Sequence, residues 1–288
     1  MNIFENIHEI SCSLNLEVAI NYIVFLAGFV LFAIWLNDTS FGRKALEDSR
    51  PRRNNMPVFL PLVVFFGIFL SISLLNGFVL LFTEKFQEWQ KVLTSEIVNT
   101  VARLVSIGVI LFIVKKCFAR GTKGFGLNFR TIPKDFIFAI VYLIAILPLI
   151  YLMLEAVVYI NELYKPDYKI PTHEELKILT ENPKIIVRLA IAIGTILVVP
   201  FFEEMIFRGL FQSMIRSTVY FYKQAAWIAI LFTSLLFAVT HADISHWPVL
   251  FILSMAMGYS YEKSGSLFRS VFIHMLFNAS AIITTWIS

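Results

Sequence analysis

Charge and cysteine are both scarce in this sequence. Of its 288 residues only 15% are charged and two are cysteines, whereas 58% are hydrophobic. A soluble domain of this size needs more polar surface than such a composition supplies. Cys12 and Cys117 lie in no C-x-x-C spacing and beside no histidine cluster, so they form no metal or redox motif. The composition therefore predicts a polytopic membrane protein.

Signals that would favour other classes of protein are also missing. The N-terminal stretch carries no positive charge and predicts no cleavable signal peptide. The polar stretch Asn161–Pro183 predicts a solvated loop with one or two helical turns. Within it, His173-Glu174-Glu175-Leu176 resembles the start of the zinc-protease motif H-E-x-x-H, but Lys177 replaces the second histidine. No internal repeat divides the chain, so we treat residues 1–288 as a single membrane domain.

Long apolar runs recur along the whole chain. About 20 helical residues are needed to cross the hydrocarbon core of a bilayer. The runs predict an all-α membrane bundle of about eight transmembrane helices around a buried polar active-site cavity. The predicted spans are Val18–Leu36, Val58–Phe82, Ile97–Val114, Phe136–Tyr159, Ile185–Phe202, Ala225–Thr240, Trp247–Tyr261 and Val271–Ile287. The sixth and seventh spans are short.

The basic residues predict the orientation of these spans. They cluster after the first and third spans, at Arg43, Lys44, Arg50, Arg52, Arg53, Lys115, Lys116, Arg120, Lys123, Arg130 and Lys134. Loops rich in lysine and arginine face the cytoplasm, so we expect both termini outside and Cys12 unable to pair with Cys117. The net charge of +4 then reflects the concentration of basic residues in the cytoplasmic loops. Nucleic acid is not an expected partner.

Two adjacent glutamates lie inside an apolar run. Glu203 and Glu204 follow the apolar segment 196–202 and are followed by Arg208. One ionisable side chain at bilayer depth costs at least about 2.5 to 3.5 kcal/mol, so the pair needs a compensating partner or a chemical role. Glu204 and Arg208, four residues apart, predict an intrahelical ion pair that leaves Glu203 to face a cavity. The two glutamates could also exchange these roles.

The other polar residues that a helical interpretation buries are His241, His274 and Asn278. His274 and Asn278 are four residues apart and share one helix face. A carboxylate beside a neutral histidine can take a proton from water, and histidine and asparagine donors can stabilise the oxyanion of amide hydrolysis. The same residues could instead form only helix–helix hydrogen bonds, with Glu203 turned toward the cytoplasmic interface.

Three spaced motifs follow one another on successive spans: Glu203-Glu204-x-x-x-Arg208, Phe237-x-x-x-His241 and His274-x-x-x-Asn278. Together they resemble the CAAX protease and bacteriocin-processing (CPBP, or Abi) family of intramembrane endopeptidases, which includes the type II CAAX prenyl protease. The segments 207–210 and 263–268 are similar to family sequences as well. The resemblance defines a catalytic region at residues 185–288.

The resemblance implies a role for each motif residue. Glu203 and His241 would activate water, and His274 and Asn278 would form the oxyanion site. Glu204 and Arg208 would hold or assist the site, with Phe237 as structural support. Glu203, His241 and His274 could alternatively bind Zn²⁺, although we expect a metal-free glutamate site. The implied substrate is a membrane-bound peptide or lipidated protein, such as a prenylated CAAX protein, a bacteriocin or a surface peptide.

The depth of His241 conflicts with a simple count of crossings. Straight, full-length spans would place His241 at the outer end of the sixth span and Glu203 and His274 nearer the inner side. Either the short sixth and seventh spans lie deeper or tilt, or Pro200 breaks the fifth span and Glu203 begins a new helix.

Two other functions are compatible with buried glutamate and histidine. A non-catalytic membrane immunity or scaffold protein of the same fold would be expected to lose Glu203 or one of the histidines, and all are present. A proton-coupled transporter predicts symmetric repeats, yet the Glu-Glu segment occurs once. The short loops favour a bacterial plasma membrane over an organelle.

Overall fold

The chain folds into a bundle of helices. The computed structural model describes residues 3–171 and 174–287, and the side chains of residues 18–171 and 176–286. The helices are α1 (Ile3–Asp38), α2 (Leu60–Leu80), α3 (Glu88–Cys117), α4 (Gly121–Phe125), α5 (Ile132–Glu162), α6 (Glu174–Glu181), α7 (Ile185–Thr218), α8 (Ala225–Val239), α9 (Trp247–Ser264) and α10 (Leu267–Ile287). Within the described residues the only β pairing is an isolated bridge between Asn54 and Phe118. The prediction of an all-α bundle is confirmed.

Each of the eight predicted spans corresponds to a long helix. Six of the described helices, α1 from Val18 onward, α2, α3, α5, α7 and α10, are long and apolar enough to cross a membrane. The remaining two are shorter, with 15 residues in α8 and 18 in α9. The protein is therefore a multi-pass integral membrane protein. The placement of its termini outside a bacterial plasma membrane stays a prediction.

Helix α7 is longer than the sequence predicts. The predicted span ends at Phe202, whereas the helix continues to Thr218. Pro200 does not break it, because Pro200 lies in the first turn of the α-helical segment Val199–Glu204, directly after a π-helical segment, Gly194–Val198. Proline is tolerated in a first turn, where its missing N–H is not needed. A second π-helical segment follows at Met205–Gln212.

Polar contacts fix the directions of α7, α9 and α10. Side chains one turn apart on α7 contact residues one turn apart on α9, namely Arg208 with Ser254, Gln212 with Gly258 and Arg216 with Glu262. Because the offset along the chain is constant, α7 and α9 run parallel. On α10, Ser270 contacts Glu204, and the later residue Asn278 contacts the earlier residue Thr195 of α7. Helix α10 is therefore antiparallel to α7 and α9.

The short helix α4 explains why residue 209 of α7 is a glycine. Phe125, in α4, is fully buried against Gly209, and a Cβ atom at Gly209 would lie 2.0 Å from the Phe125 ring. The residue after α4, Gly126, has a positive φ of 107° and accepts a hydrogen bond from the Leu267 backbone at the start of α10. The segment 124–127 thus links α3 to the two helices that carry the glutamates and His274.

The loop between α5 and α7 contains one short helix. Helix α6 has eight residues, which confirms the expected one or two helical turns. His173 and the side chains of Glu174 and Glu175 lie outside the described residues, as does the side chain of Cys12. Cys117 is a free, half-buried thiol.

Candidate active site

Glu204 is fully buried and has three side-chain partners. Its Oε1 pairs with Arg208 Nη1 at 2.6 Å and with His274 Nδ1 at 3.1 Å. Its Oε2 accepts a hydrogen bond from Ser270 Oγ. The predicted ion pair with Arg208 is therefore present, and the carboxylate also joins α7 to α10. Since both oxygens are engaged, Glu204 positions its neighbours.

Arg208 continues this buried network to α9. Its Nη2 donates to Ser254 Oγ at 2.7 Å and to the Ser254 carbonyl at 3.2 Å. Its guanidinium also lies 4.9 Å from the centre of the Phe237 ring. A buried cation is stable only when it is paired and hydrogen-bonded. Arg208 therefore neutralises Glu204 and orders the backbone of α9 around it.

Glu203 has a different environment from its neighbour. Its side chain is 22% exposed, and its Oε2 lies 3.9 Å from His274 Nε2. Within the described part of the chain, no side chain or backbone group donates a hydrogen bond to this carboxylate. A separation of 3.9 Å is too long for a direct hydrogen bond and suits a bridging water. Of the two glutamates, Glu203 is therefore the one that can receive a water molecule.

His241 reaches the site through Phe237. The buried Phe237 ring lies 4.9 Å from the His241 ring and 5.6 Å from the His274 ring. Phe237 therefore packs against both histidines, and no ion pair or hydrogen bond joins His241 to Glu203. Helix α8 has only 15 residues, and His241 lies two residues past its end, in contact with the Phe237 ring. Of the two explanations for its depth, the short sixth span is the one the structure supports.

Asn278 contacts the first π-helical segment of α7. Its Nδ2 donates to the Thr195 carbonyl at 3.0 Å, and the wider turn of a π-helix makes such carbonyl groups accessible. The amide carries a second N–H, available to another acceptor. Asn278 lies on the same face of α10 as Ser270 and His274, at four-residue intervals.

The residues proposed as an alternative zinc site do not form one in this arrangement. Within the described residues no group of three or more histidine, cysteine, aspartate or glutamate side chains is close enough to hold a metal ion. His274 uses Nδ1 for Glu204, and His241 uses Nδ1 for the Phe237 carbonyl. These contacts leave Nε2 of both rings available, as in histidines that bind a metal through Nε2, so the metal-free site stays a prediction.

Three residues of the site are missed by sequence reasoning. Ser270 binds Glu204, Ser254 binds Arg208, and Gly209 makes room for Phe125. The polar face shared by Ser270, His274 and Asn278 is visible in the sequence and would have identified Ser270. Nothing local in the sequence marks Ser254 or Gly209, because their partners are distant in the chain.

The comparisons with known proteins agree with these motifs. Residues 185–280, one third of the chain, match the family model described as type II CAAX prenyl endopeptidase Rce1-like. No curated protein and no solved structure matches the chain. The matched region contains all the motif residues from Glu203 to Asn278, and the family resemblance predicted from the sequence is confirmed. Residues 185–280 of this membrane protein are therefore similar to the Rce1-like family of type II CAAX prenyl endopeptidases.

Proposed function

We propose that the chain is an intramembrane endopeptidase in which Glu203 activates water for attack on a peptide bond. The observation that carries the proposal is the contrast between the adjacent glutamates. Glu204 is buried and fully engaged, whereas Glu203 is partly exposed and faces His274 across 3.9 Å. A carboxylate with no competing partner can hold a water molecule and accept its proton.

Charge balance supports a role for His274 as a donor. The cluster contains two carboxylates, Glu203 and Glu204, but only one guanidinium, Arg208. An uncompensated charge is costly in a membrane interior, so the cluster is neutral when His274 carries a proton on both ring nitrogens. Nδ1–H then donates to Glu204, and Nε2–H faces the Glu203 side, where it can donate to an oxyanion.

The hydrogen bond of His241 supports a role in holding the water. A backbone carbonyl only accepts hydrogen bonds, so His241 Nδ1, at 2.9 Å from the Phe237 carbonyl, carries the ring hydrogen. Nε2 of the neutral ring then has a lone pair. In the proposed mechanism this lone pair accepts a hydrogen bond from the water that Glu203 deprotonates.

In the proposed reaction Glu203 acts first as a base and then as an acid. Glu203 takes a proton as the water oxygen attacks the carbonyl carbon, and the oxyanion accepts hydrogen bonds from His274 Nε2–H and from the second amide hydrogen of Asn278. Glu203 then returns the proton to the amide nitrogen as the carbon–nitrogen bond breaks. The products are a new carboxylate and a new amine.

The proposed substrate is a peptide held at the membrane. The family acts on membrane-associated peptides. We propose a lipidated C-terminal peptide of the CAAX type as the first substrate to test, with a bacteriocin or surface peptide as the second. The non-catalytic immunity or scaffold function is the alternative that the same experiment tests.

Cleavage by purified protein in lipid nanodiscs tests the proposal. We expect wild type to cleave a farnesylated peptide, and Glu203→Gln to lower kcat/KM by about 10² to 10⁴, the usual contribution of a positioned base. Glu155→Gln removes an exposed carboxylate of α5 outside the site and serves as the matched control, with activity equal to wild type.

Each outcome separates the alternatives. Activity that a chelator leaves intact would support the metal-free site, and loss with chelator, restored by Zn²⁺, would contradict it. Equal cleavage by Glu203→Gln and wild type would overturn the assignment of Glu203. Absence of cleavage in wild type across both classes of peptide would favour the non-catalytic function.

A further inference from the structure

A basic cavity lies at the end of the bundle where α3 ends and α9 meets α10. Its volume is about 480 Å³. Its walls come from the segment between α1 and α2, the segment between α3 and α4, and the end of α9. Five basic residues and one acidic residue line it: Arg50, Arg52, Arg53, Arg120, Lys123 and Glu262. The candidate catalytic glutamates lie elsewhere, since Glu204 is 12 residues before Arg216 on α7, about three helical turns away.

The floor of the cavity is a buried ion-pair network. The Glu262 side chain is completely buried, with Arg52 Nη1 and Arg216 Nε each 3.9 Å from its oxygens. Arg52 also lies 3.4 Å from the centre of the Tyr261 ring and donates to the Tyr261 carbonyl. Arg52 is therefore held in place, and the single carboxylate of the cavity is shared by two arginines.

The remaining cations of the cavity have no acidic partner. Arg50, Arg53, Arg120 and Lys123 are exposed, and none of their side chains forms an ion pair or hydrogen bond within the described residues. Glu262 Oε2 and Arg216 Nε also lack hydrogen-bond partners. Positive charges gathered in one cavity repel one another, so a bound anion would stabilise this arrangement.

We propose that this cavity binds a phosphate group. A phosphate presents several oxygens and can accept hydrogen bonds from more than one guanidinium, which a single carboxylate does less well. The cavity opens beside the end of a membrane-spanning helix, and basic pockets between membrane helices bind anionic lipid headgroups. The phosphate can belong to a phospholipid headgroup or to a soluble phosphate, and the experiment distinguishes the two.

Binding to the purified full-length chain tests the proposal. Native mass spectrometry would measure retention of phosphatidylglycerol and phosphatidylcholine, and thermal unfolding would be followed with added inorganic phosphate. We expect the double variant Arg53→Gln/Arg120→Gln to bind its phosphate probe about tenfold or more weakly, as loss of charge-assisted hydrogen bonds predicts. Lys115→Gln/Lys116→Gln removes two exposed charges from the end of α3 outside the cavity and should bind like wild type.

The probes identify the source of the phosphate. Selective retention of phosphatidylglycerol, lost only in the cavity variant, would support a lipid headgroup. Protection by inorganic phosphate without lipid selectivity, again lost only in the cavity variant, would support a soluble phosphate. Equal losses in the cavity variant and the control, or no response to either probe in wild type, would overturn the proposal.

Discussion

The helices of the N-terminal third and those of the matched region bury their side chains to different extents. In the most apolar windows of α1 and α2 only 6% and 11% of residues are buried, compared with 33% in α7 and 44% in α10. Among the described residues, every buried polar side chain except Thr83, Ser106 and Asp135 lies between Glu204 and His274. The first helices expose apolar side chains, as helices that face lipid do, whereas the last helices contact one another through specific hydrogen bonds.

This difference predicts where the chain tolerates substitution. Lipid is as apolar as leucine, so an exposed apolar helix face places few demands on side-chain identity. A buried polar network places strict demands on side-chain identity, because an unpaired group within it costs free energy. Substitutions in the matched region should therefore cost more stability than substitutions in the first helices.

The largest effect on stability is expected at Glu204. Glu204→Gln leaves Arg208 as an uncompensated buried cation, and we expect the free energy of unfolding to fall by about 3 to 5 kcal/mol. The same substitution at the adjacent Glu203, which is partly exposed and has no hydrogen-bonded partner, should lower the free energy of unfolding less, while lowering kcat/KM by about 10² to 10⁴. Unfolding in mixed micelles measures both variants, and equal destabilisation would contradict the separate roles of the two glutamates.

A smaller effect is expected where α4 packs against α7. Gly209→Ala places a Cβ atom 2.0 Å from the Phe125 ring, and overpacking of this kind costs about 1 to 3 kcal/mol. Gly108→Ala in α3 is the matched control, since nothing lies within 4 Å of its added Cβ atom. Partial recovery of thermal stability in Gly209→Ala/Phe125→Leu would identify the ring as the cause. Equal stability of the two single variants would contradict the packing argument.

A still smaller effect on stability is expected at Asn278. Asn278→Ala removes the hydrogen bond to the Thr195 carbonyl, and such bonds between membrane helices contribute about 0.6 to 2 kcal/mol. Because Asn278 is also a proposed oxyanion donor, kcat should fall more than tenfold, as loss of such a donor usually causes. A variant that loses stability but retains kcat would show that Asn278 acts only between helices.

The smallest effect is expected on the lipid-facing side of α2. Leu62 is 46% exposed, and Leu62→Ala should change the free energy of unfolding by less than about 0.5 kcal/mol. The same truncation at Leu210, which is completely buried in α7, should cost about 2 to 5 kcal/mol. Equal losses at the two positions would mean that α2 is buried, for example by a second copy of the chain.

Much of the architecture was accessible from the sequence because hydrophobic runs determine membrane helices directly. The eight apolar helices among the ten described, and the Glu204–Arg208 pair, follow from run length and four-residue spacing. The end of α7 does not, because Pro200 and Glu203 look like a boundary in the sequence. Both lie inside the α-helical segment Val199–Glu204, and a π-helical segment continues the helix at Met205–Gln212.

The composition of the site was also only partly predictable. Residues that act through spacing on one helix, such as His274 and Asn278, are visible in the sequence. The proximity of Glu203 to His274, and the packing of Phe237 against both histidines, depend on how α7, α8 and α10 approach one another. Such contacts join residues far apart in the chain, and one sequence contains no direct record of them.

The length of α8 has a consequence for the surrounding bilayer. At about 1.5 Å per residue, its 15 residues extend about 22 Å, less than the hydrocarbon thickness of about 30 Å. In the turn that follows α8, the backbone N–H of Ser245 donates a hydrogen bond to Oδ1 of Asp243. Such polar groups favour water, so we expect the bilayer to thin beside this turn, which is one way that a membrane accommodates a short apolar helix. Water would then cross only part of the membrane to reach a peptide bond beside the histidines.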